Sequence, residues 1–178
     1  MPSAISHAVV ALAAGASFAP QNPPGKLFTL SVICSVMPDV DVLGFAFGIP
    51  YGHFFGHRGF FHSLPFAFLM SLLVVTLFFR EATPFSSGWW YYLLYFFSLS
   101  ASHGLLDALT DGGLGVALLS PFNNTRYFFP WRPLVVSPIG LEGFFSRWGL
   151  LVIKSELLWI WIPSGLMILF VRGIRWLL

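Results

Sequence analysis

The segment "SASHGLLDALTDGG", residues 100–113, places an imidazole and two carboxylates, His103, Asp107 and Asp111, at even spacing at the end of a strongly apolar stretch. Residues four apart on an α-helix are neighbours on one face. His103 and Asp107 therefore address one point, with Asp111 a turn further on beside Gly112 and Gly113. Three other segments carry the same kinds of group: His7 in "SH", Asp39 and Asp41 in "PDVD", and His57 and His62 in "HRGFFH". All four Asp and four of the five His of the chain belong to this set, whereas the three Glu stand outside it. Imidazoles and carboxylates with no thiolate suit a hydrolytic zinc, manganese or iron centre, including one of two or more ions, better than a structural zinc site. Such a cation lowers the pKa of a bound water to about 7 and polarises a phosphoryl or carbonyl oxygen. Metal-assisted hydrolysis is the reaction class these residues suggest.

Each residue alone has a plainer reading. His7 would be a hydrogen-bonded core histidine, Asp39 and Asp41 helix caps, Asp111 a turn residue before glycine, and His53 a loop residue exposed or behind the ligands. Arg58, Arg126 and Arg132 would extend to lipid head groups. What argues for a site is where the set falls once the elements are placed.

The 178 residues are 57% hydrophobic, 19% aromatic and 9% charged, with a mean hydropathy of +0.80. An ordinary soluble domain carries ~25% charged residues. The chain reads as a single integral membrane domain of the all-α class, a polytopic bundle of about five membrane helices with short re-entrant or interfacial helices. A formal net charge of +2 is too small for a nucleic-acid footprint. The single cysteine, Cys34, has no partner for an intrachain disulfide and lies in an apolar run, where packing is its role. Residues 4–19 lack the positive flank of a secretory signal and are read as a retained first helix.

The second helix runs from Leu27 to about Met37 and breaks at "PDVD", because proline removes a helical hydrogen bond and carboxylates are costly in hydrocarbon. The segment "VLGFAFGIPYG" reads as re-entrant or interfacial. Ser63 and Pro65 start a third helix over 64–79, and Trp and Tyr open a fourth from Trp89 to about Leu109. Residues 120–148 are irregular or interfacial, and a last helix spans about 150–171. In an up-down-up-down bundle the start of helix one, the end of two, the start of three and the end of four share one side. All the ionisable candidates lie at those ends, which puts a metal site at one membrane face.

The ordered set "SH", "PDVD", "HRGFFHS", "SHGLLDALTDGG", "PF" with "RYFFPW", and "VSP", spanning about residues 3–140, resembles the YdjM-like family of inner-membrane, metal-dependent hydrolases. The last helix carries no motif. The resemblance implies a membrane-bound hydrolase with a divalent cation, with His7, Asp39, Asp41, His57, His62, His103, Asp107 and Asp111 as ligands, in a bacterial or archaeal cytoplasmic membrane. A fainter similarity is to the zinc-dependent phospholipase C and S1/P1 nuclease group. The second His-x-x-x-Glu pair of that group is missing here, so the number of ions stays open.

The expectation is a hydrolase of phosphoesters on a lipid or lipid-linked substrate, with zinc ahead of manganese or iron. Arg58, Arg126 and Arg132 would hold the phosphate, Arg58 also joining the catalytic set, and Asp39 or Asp111 would serve as general base where not a ligand. The alternatives are a metal-dependent amidase or protease, and a transporter or interaction protein whose metal is structural or carried. Lys26, Arg80, Arg172 and Arg175 on the opposite side favour a site facing outward by the positive-inside rule, while Arg126, Arg132, Arg147 and Lys154 weigh against it.

Overall fold

Several helices begin at serines whose side chains accept a hydrogen bond from a backbone N–H of the first turn, the role an N-cap plays. Ser3 caps α1 (Ala4–Phe18), Ser63 caps α3 (Leu64–Phe78) and Ser86 caps α4 (Ser87–Ala108). The computed structural model describes residues 1–177. It is all helical: among the described residues there is no β-strand, only isolated bridges joining Thr110 to Leu134 and Val116 to Tyr127.

α2 (Lys26–Val36) stops where the sequence break was expected, and the chain continues as a 3-10 stretch, Met37–Phe47. Pro38 has no N–H to give to the carbonyl four residues back, which ends the α-helical ladder and favours the tighter winding. A second 3-10 turn, Phe60–His62, precedes α3. After α4 the chain crosses the site face in irregular form to a short α5 (Leu141–Phe144). The last helix is longer than its apolar run suggested, comprising α6 (Arg147–Glu156), a π-turn (Leu157–Trp161) and α7 (Ile162–Leu177).

α3 and α4 form an antiparallel hairpin, and α1 lies between α2 and α7. The apolar core joins Ala11 of α1, Leu27, Leu30 and Cys34 of α2, Val75 and Phe79 of α3, and Leu93, Phe96 and Leu99 of α4. Cys34 is buried there and unbridged. Outward faces are apolar too: Leu69, Leu73, Leu94, Leu166, Leu169 and Phe170 are all exposed. A contiguous greasy surface of this kind needs lipid against it rather than water.

Among the described helices, Lys26–Phe47 and Arg147–Leu177 are long and apolar enough to cross a membrane. α1 and α3, with 15 residues each, are apolar but short. α4 matches the first span in length, yet Ser98, Ser100, Ser102, His103 and Asp107 interrupt its apolar character. Of about five expected spans, two meet the length and hydropathy required.

Gly104 sets how closely α4 approaches the turn before α3, since a Cβ there would lie 2.4 Å from the carbonyl oxygen of His62. That approach is what brings His103 beside His62. Gly104→Ala should destabilise the protein by about 1–3 kcal/mol through overpacking, read as a lowered unfolding midpoint in detergent. A midpoint equal to wild type would show that the two backbones separate without cost.

Candidate metal centre

Four side chains from three elements converge below the site face. Asp39 comes from the 3-10 stretch after α2, His62 from the turn before α3, and His103 and Asp107 from adjacent turns of α4. One ligand atom of each lies within 4.8 Å of all the others. His62, His103 and Asp107 are fully enclosed, and the side chain of Asp39 keeps 9% exposure at the edge. Asp39 Oδ1 is 3.3 Å from His103 Nε2 and 3.5 Å from His62 Nε2, and Asp107 Oδ2 is 3.5 Å from His62 Nε2.

A hydrogen bond behind His103 and an ion-pair contact behind His62 decide which nitrogens face the centre. His103 Nδ1 lies 2.7 Å from the Ser35 carbonyl, which can only accept, so Nδ1 carries the proton and Nε2 presents a lone pair. His62 Nδ1 faces Asp41 Oδ2 at 3.0 Å, which turns its Nε2 inward as well. The two Nε2 atoms are 3.1 Å apart. Two imidazole lone pairs held this close need a positive charge between them, a proton or a metal ion. Both oxygens of Asp39 and both of Asp107 are buried without a hydrogen-bond partner, an arrangement costly to leave unsatisfied and natural for a cation site. The donor set fits a divalent ion of the zinc, manganese or iron class.

Asp41 plays a different part. Its Oδ1 pairs with His57 Nδ1 at 2.7 Å, and its Oδ2 accepts the Arg58 backbone N–H at 3.1 Å beside His62 Nδ1. Asp41, His57 and His62 also meet the distances of a metal-binding group, but a second ion would have to displace contacts already made. As it stands, Asp41 orients His62, as carboxylates behind ligand histidines do. His7 lies flat on His103, ring centroids 3.7 Å apart, with Nε2 3.5 Å from Asp107 Oδ1. It flanks the four-residue set rather than belonging to it.

The outer residues divide differently from the sequence expectation. α4 ends at Ala108, so Asp111 leaves the face shared by His103 and Asp107; it is exposed, and its Oδ1 accepts the Val136 N–H at 2.8 Å. The structure thus places Asp111 apart from the close group of Asp39, His62, His103 and Asp107. Arg58 is fully buried with φ of 62°, and this left-handed turn sends its guanidinium inward to Asp107 Oδ2 at 3.1 Å, Thr110 Oγ1 at 2.9 Å and the Gly112 carbonyl at 2.8 Å. Arg126 spends its donors on the carbonyls of His57 and Tyr51, at 2.9 and 3.0 Å. Both arginines are committed to the protein instead of facing a phosphate. Arg132 is exposed, 4.8 Å over the Phe128 ring. His53 is exposed in the loop and its Nδ1 accepts the Phe55 N–H. Thr110, the Ser35 carbonyl and Glu156 belong to the supporting structure and were not singled out in the sequence; a lone carboxylate inside an apolar helix was the one signal available for Glu156.

Electrostatics outside the spans follow the geometry. Burial opposes a charged His62, yet Asp39 and Asp41 outweigh it and push its pKa up to about 9. Burial dominates at His57 and lowers its pKa in spite of Asp41. The two carboxylates thus favour a protonated His62, and a divalent cation held by these residues would take the place of that proton.

Arg58 is the cation that offsets Asp107 directly. Removing one partner of a buried pair costs about 3–5 kcal/mol, so Arg58→Ala should lower the unfolding midpoint sharply. Arg58→Lys should restore little, because an ammonium cannot reach three acceptors as a planar fork does. Wild-type stability in Arg58→Ala would contradict this assignment.

The chain is 40% identical over 176 residues to the inner membrane protein YbcI of Escherichia coli (strain K12), covering 99% of this chain and 98% of the relative. No solved structure gives a significant match. The family model described as YdjM inner membrane protein matches residues 1–177. This is an inner membrane protein, and the chain belongs to the YdjM family.

Proposed function

We propose that the protein is a membrane-embedded, metal-dependent hydrolase that cleaves a phosphoester on a lipid or lipid-linked substrate. In this reading α1, α3 and α4 join the two long apolar helices in the bilayer, and the centre lies near one membrane face. The observation that carries it is the pair of inward lone pairs, His62 Nε2 and His103 Nε2, 3.1 Å apart between two carboxylates without hydrogen-bond partners.

Asp39, His62, His103 and Asp107 would hold the cation, and zinc suits two imidazoles with two carboxylates best. A cation there supplies polarisation of a phosphoryl oxygen and a more acidic water. The chain's own residues do the rest. Asp41 and the Ser35 carbonyl hold the two imidazoles with Nε2 inward, and Arg58 keeps Asp107 in place. Asp39, the only one of the four with side-chain exposure, stands at the edge where substrate would arrive. His7 has an unpartnered Nδ1 beside the centre. A lipid substrate is favoured by the apolar side chains exposed around Asp39, among them Val40, Leu43 and Phe47, the last 83% exposed. The charge needed to hold a phosphate would come from the cation, since Arg58 and Arg126 are engaged elsewhere.

The test is incubation of purified protein in mixed micelles of inner-membrane phospholipids with zinc or with EDTA, followed by mass spectrometry of the lipids and release of phosphate or phospho-head group. The expected result is a cleaved phosphoester that EDTA abolishes, with Asp41→Asn reduced about 10–100-fold as loss of a ligand-orienting residue predicts. A freed amine from an amide substrate, with every phosphoester intact, would overturn the proposal in favour of an amidase. Metal-dependent transport without hydrolysis would overturn the enzyme reading altogether.

A further inference from the structure

Glu156 is a fully buried carboxylate in the long last helix, far in sequence from the histidines and aspartates of the centre. It accepts the backbone N–H of Ser3, the Ser3 hydroxyl at 2.7 Å and the Ser6 hydroxyl at 2.7 Å. Immediately after it the helix widens into the π-turn Leu157–Trp161, and Trp161 Nε1 donates to the same Ser6 Oγ at 2.7 Å. A π-turn inserts a residue into the helical winding and re-aims the side chains of the next turns. Here it lets Glu156 and Trp161, on successive turns, meet one serine of α1.

The other end of α1 is held by the same helix. Arg175 Nη1 donates to the Ala19 carbonyl at 3.2 Å, and Arg172 Nε lies 3.5 Å from the Ala16 carbonyl. A carboxylate at the N-terminus of α1 and guanidinium groups at its C-terminus match the signs of its macrodipole. The last helix thus runs alongside α1 as a splint fixed at both ends.

Ser6 and His7 are consecutive, and consecutive residues of an α-helix point about 100° apart. With Ser6 turned to the last helix, His7 faces the centre. On its other side α1 packs along α2, and near the site Ser35 Oγ donates to the His7 carbonyl at 2.8 Å. That bond holds the backbone, while Ser3 and Ser6, the side chains that orient the first turn of α1 about its axis, are both held by Glu156. We propose that Glu156, backed by the π-turn, is a positioning residue that sets the rotation of α1 and so lays His7 on His103 and against Asp107. Its consequence for ion binding rests on the metal-centre reading; its hold on His7 does not.

The full-length protein in detergent, with labelled histidines, separates the two. Magnetic resonance reads the contact between the His7 and His103 rings without added metal, and Co2+ titration reads affinity and ligand field. In Glu156→Ala the ring contact should vanish while the His62–His103 contact stays, and Co2+ affinity should fall about 10–100-fold, the size expected for a residue supporting the ligands. Glu156→Gln, which keeps the shape and an acceptor oxygen, should recover most of both. Ser6→Ala is the milder variant if Glu156→Ala does not fold, and it should weaken the ring contact in the same direction. An intact His7–His103 contact in the variant that folds would overturn the proposal. A lost contact with unchanged Co2+ affinity would overturn its link to the metal centre. Wild-type protein that binds no Co2+ would overturn the metal reading, while the ring contact alone would still decide the role of Glu156.

Discussion

Asp107 is a carboxylate with no access to solvent, and burying it demands positive charge or donors from the protein. Arg58 supplies the charge at 3.1 Å, and His7 and His62 approach at 3.5 Å, yet neither oxygen receives a hydrogen bond. Much of the surrounding structure stems from that requirement. Thr110 and the Gly112 carbonyl hold Arg58, the absence of a Cβ at Gly104 lets His103 come beside His62, and Asp41 braces His62 and His57 together. Arg126 then ties the loop carrying these residues to the strand-like segment after α4 by bonding the carbonyls of His57 and Tyr51. A network in which buried groups are only partly satisfied is costly as a purely structural device. It becomes coherent if the missing partner is a cation.

The bilayer explains why the site is built at helix ends. Irregular backbone and ionisable groups are tolerated at membrane depth only when protein encloses them. Pro38 ends α2 just before Asp39, the turn Phe60–His62 stands before α3, and α4 ends at Ala108 directly after Asp107. Each ligand is therefore carried near a rigid helix while its neighbouring backbone is free to turn inward. The two locks between α1 and the last helix do the same for His7, in the first turn of α1.

Helix boundaries and the convergence of Asp39, His62, His103 and Asp107 were legible in the sequence, because proline, serine caps and a four-residue spacing act locally. What was not legible depended on where backbone turns. Asp111 continues the spacing of His103 and Asp107, but the helix ends before reaching it, so periodicity ceases to predict its direction. Arg58 looked like a phosphate ligand, and a left-handed backbone conformation at that residue turned it into an internal partner. Glu156 found its donors on Ser3 and Ser6, about 150 residues away, where no local pattern points.

In the proposed function Asp39, His62, His103 and Asp107 form a cation site. Its most direct measurement is metal content by elemental analysis of the purified protein in detergent, after dialysis against zinc, manganese or iron, with His103→Ala and Asp107→Ala alongside. A cation site gives a stoichiometric ion in the wild type that both variants lose while remaining folded. A folded wild type that retains no ion under any of these loadings would contradict it, and would make the cluster a network of protons rather than a metal centre.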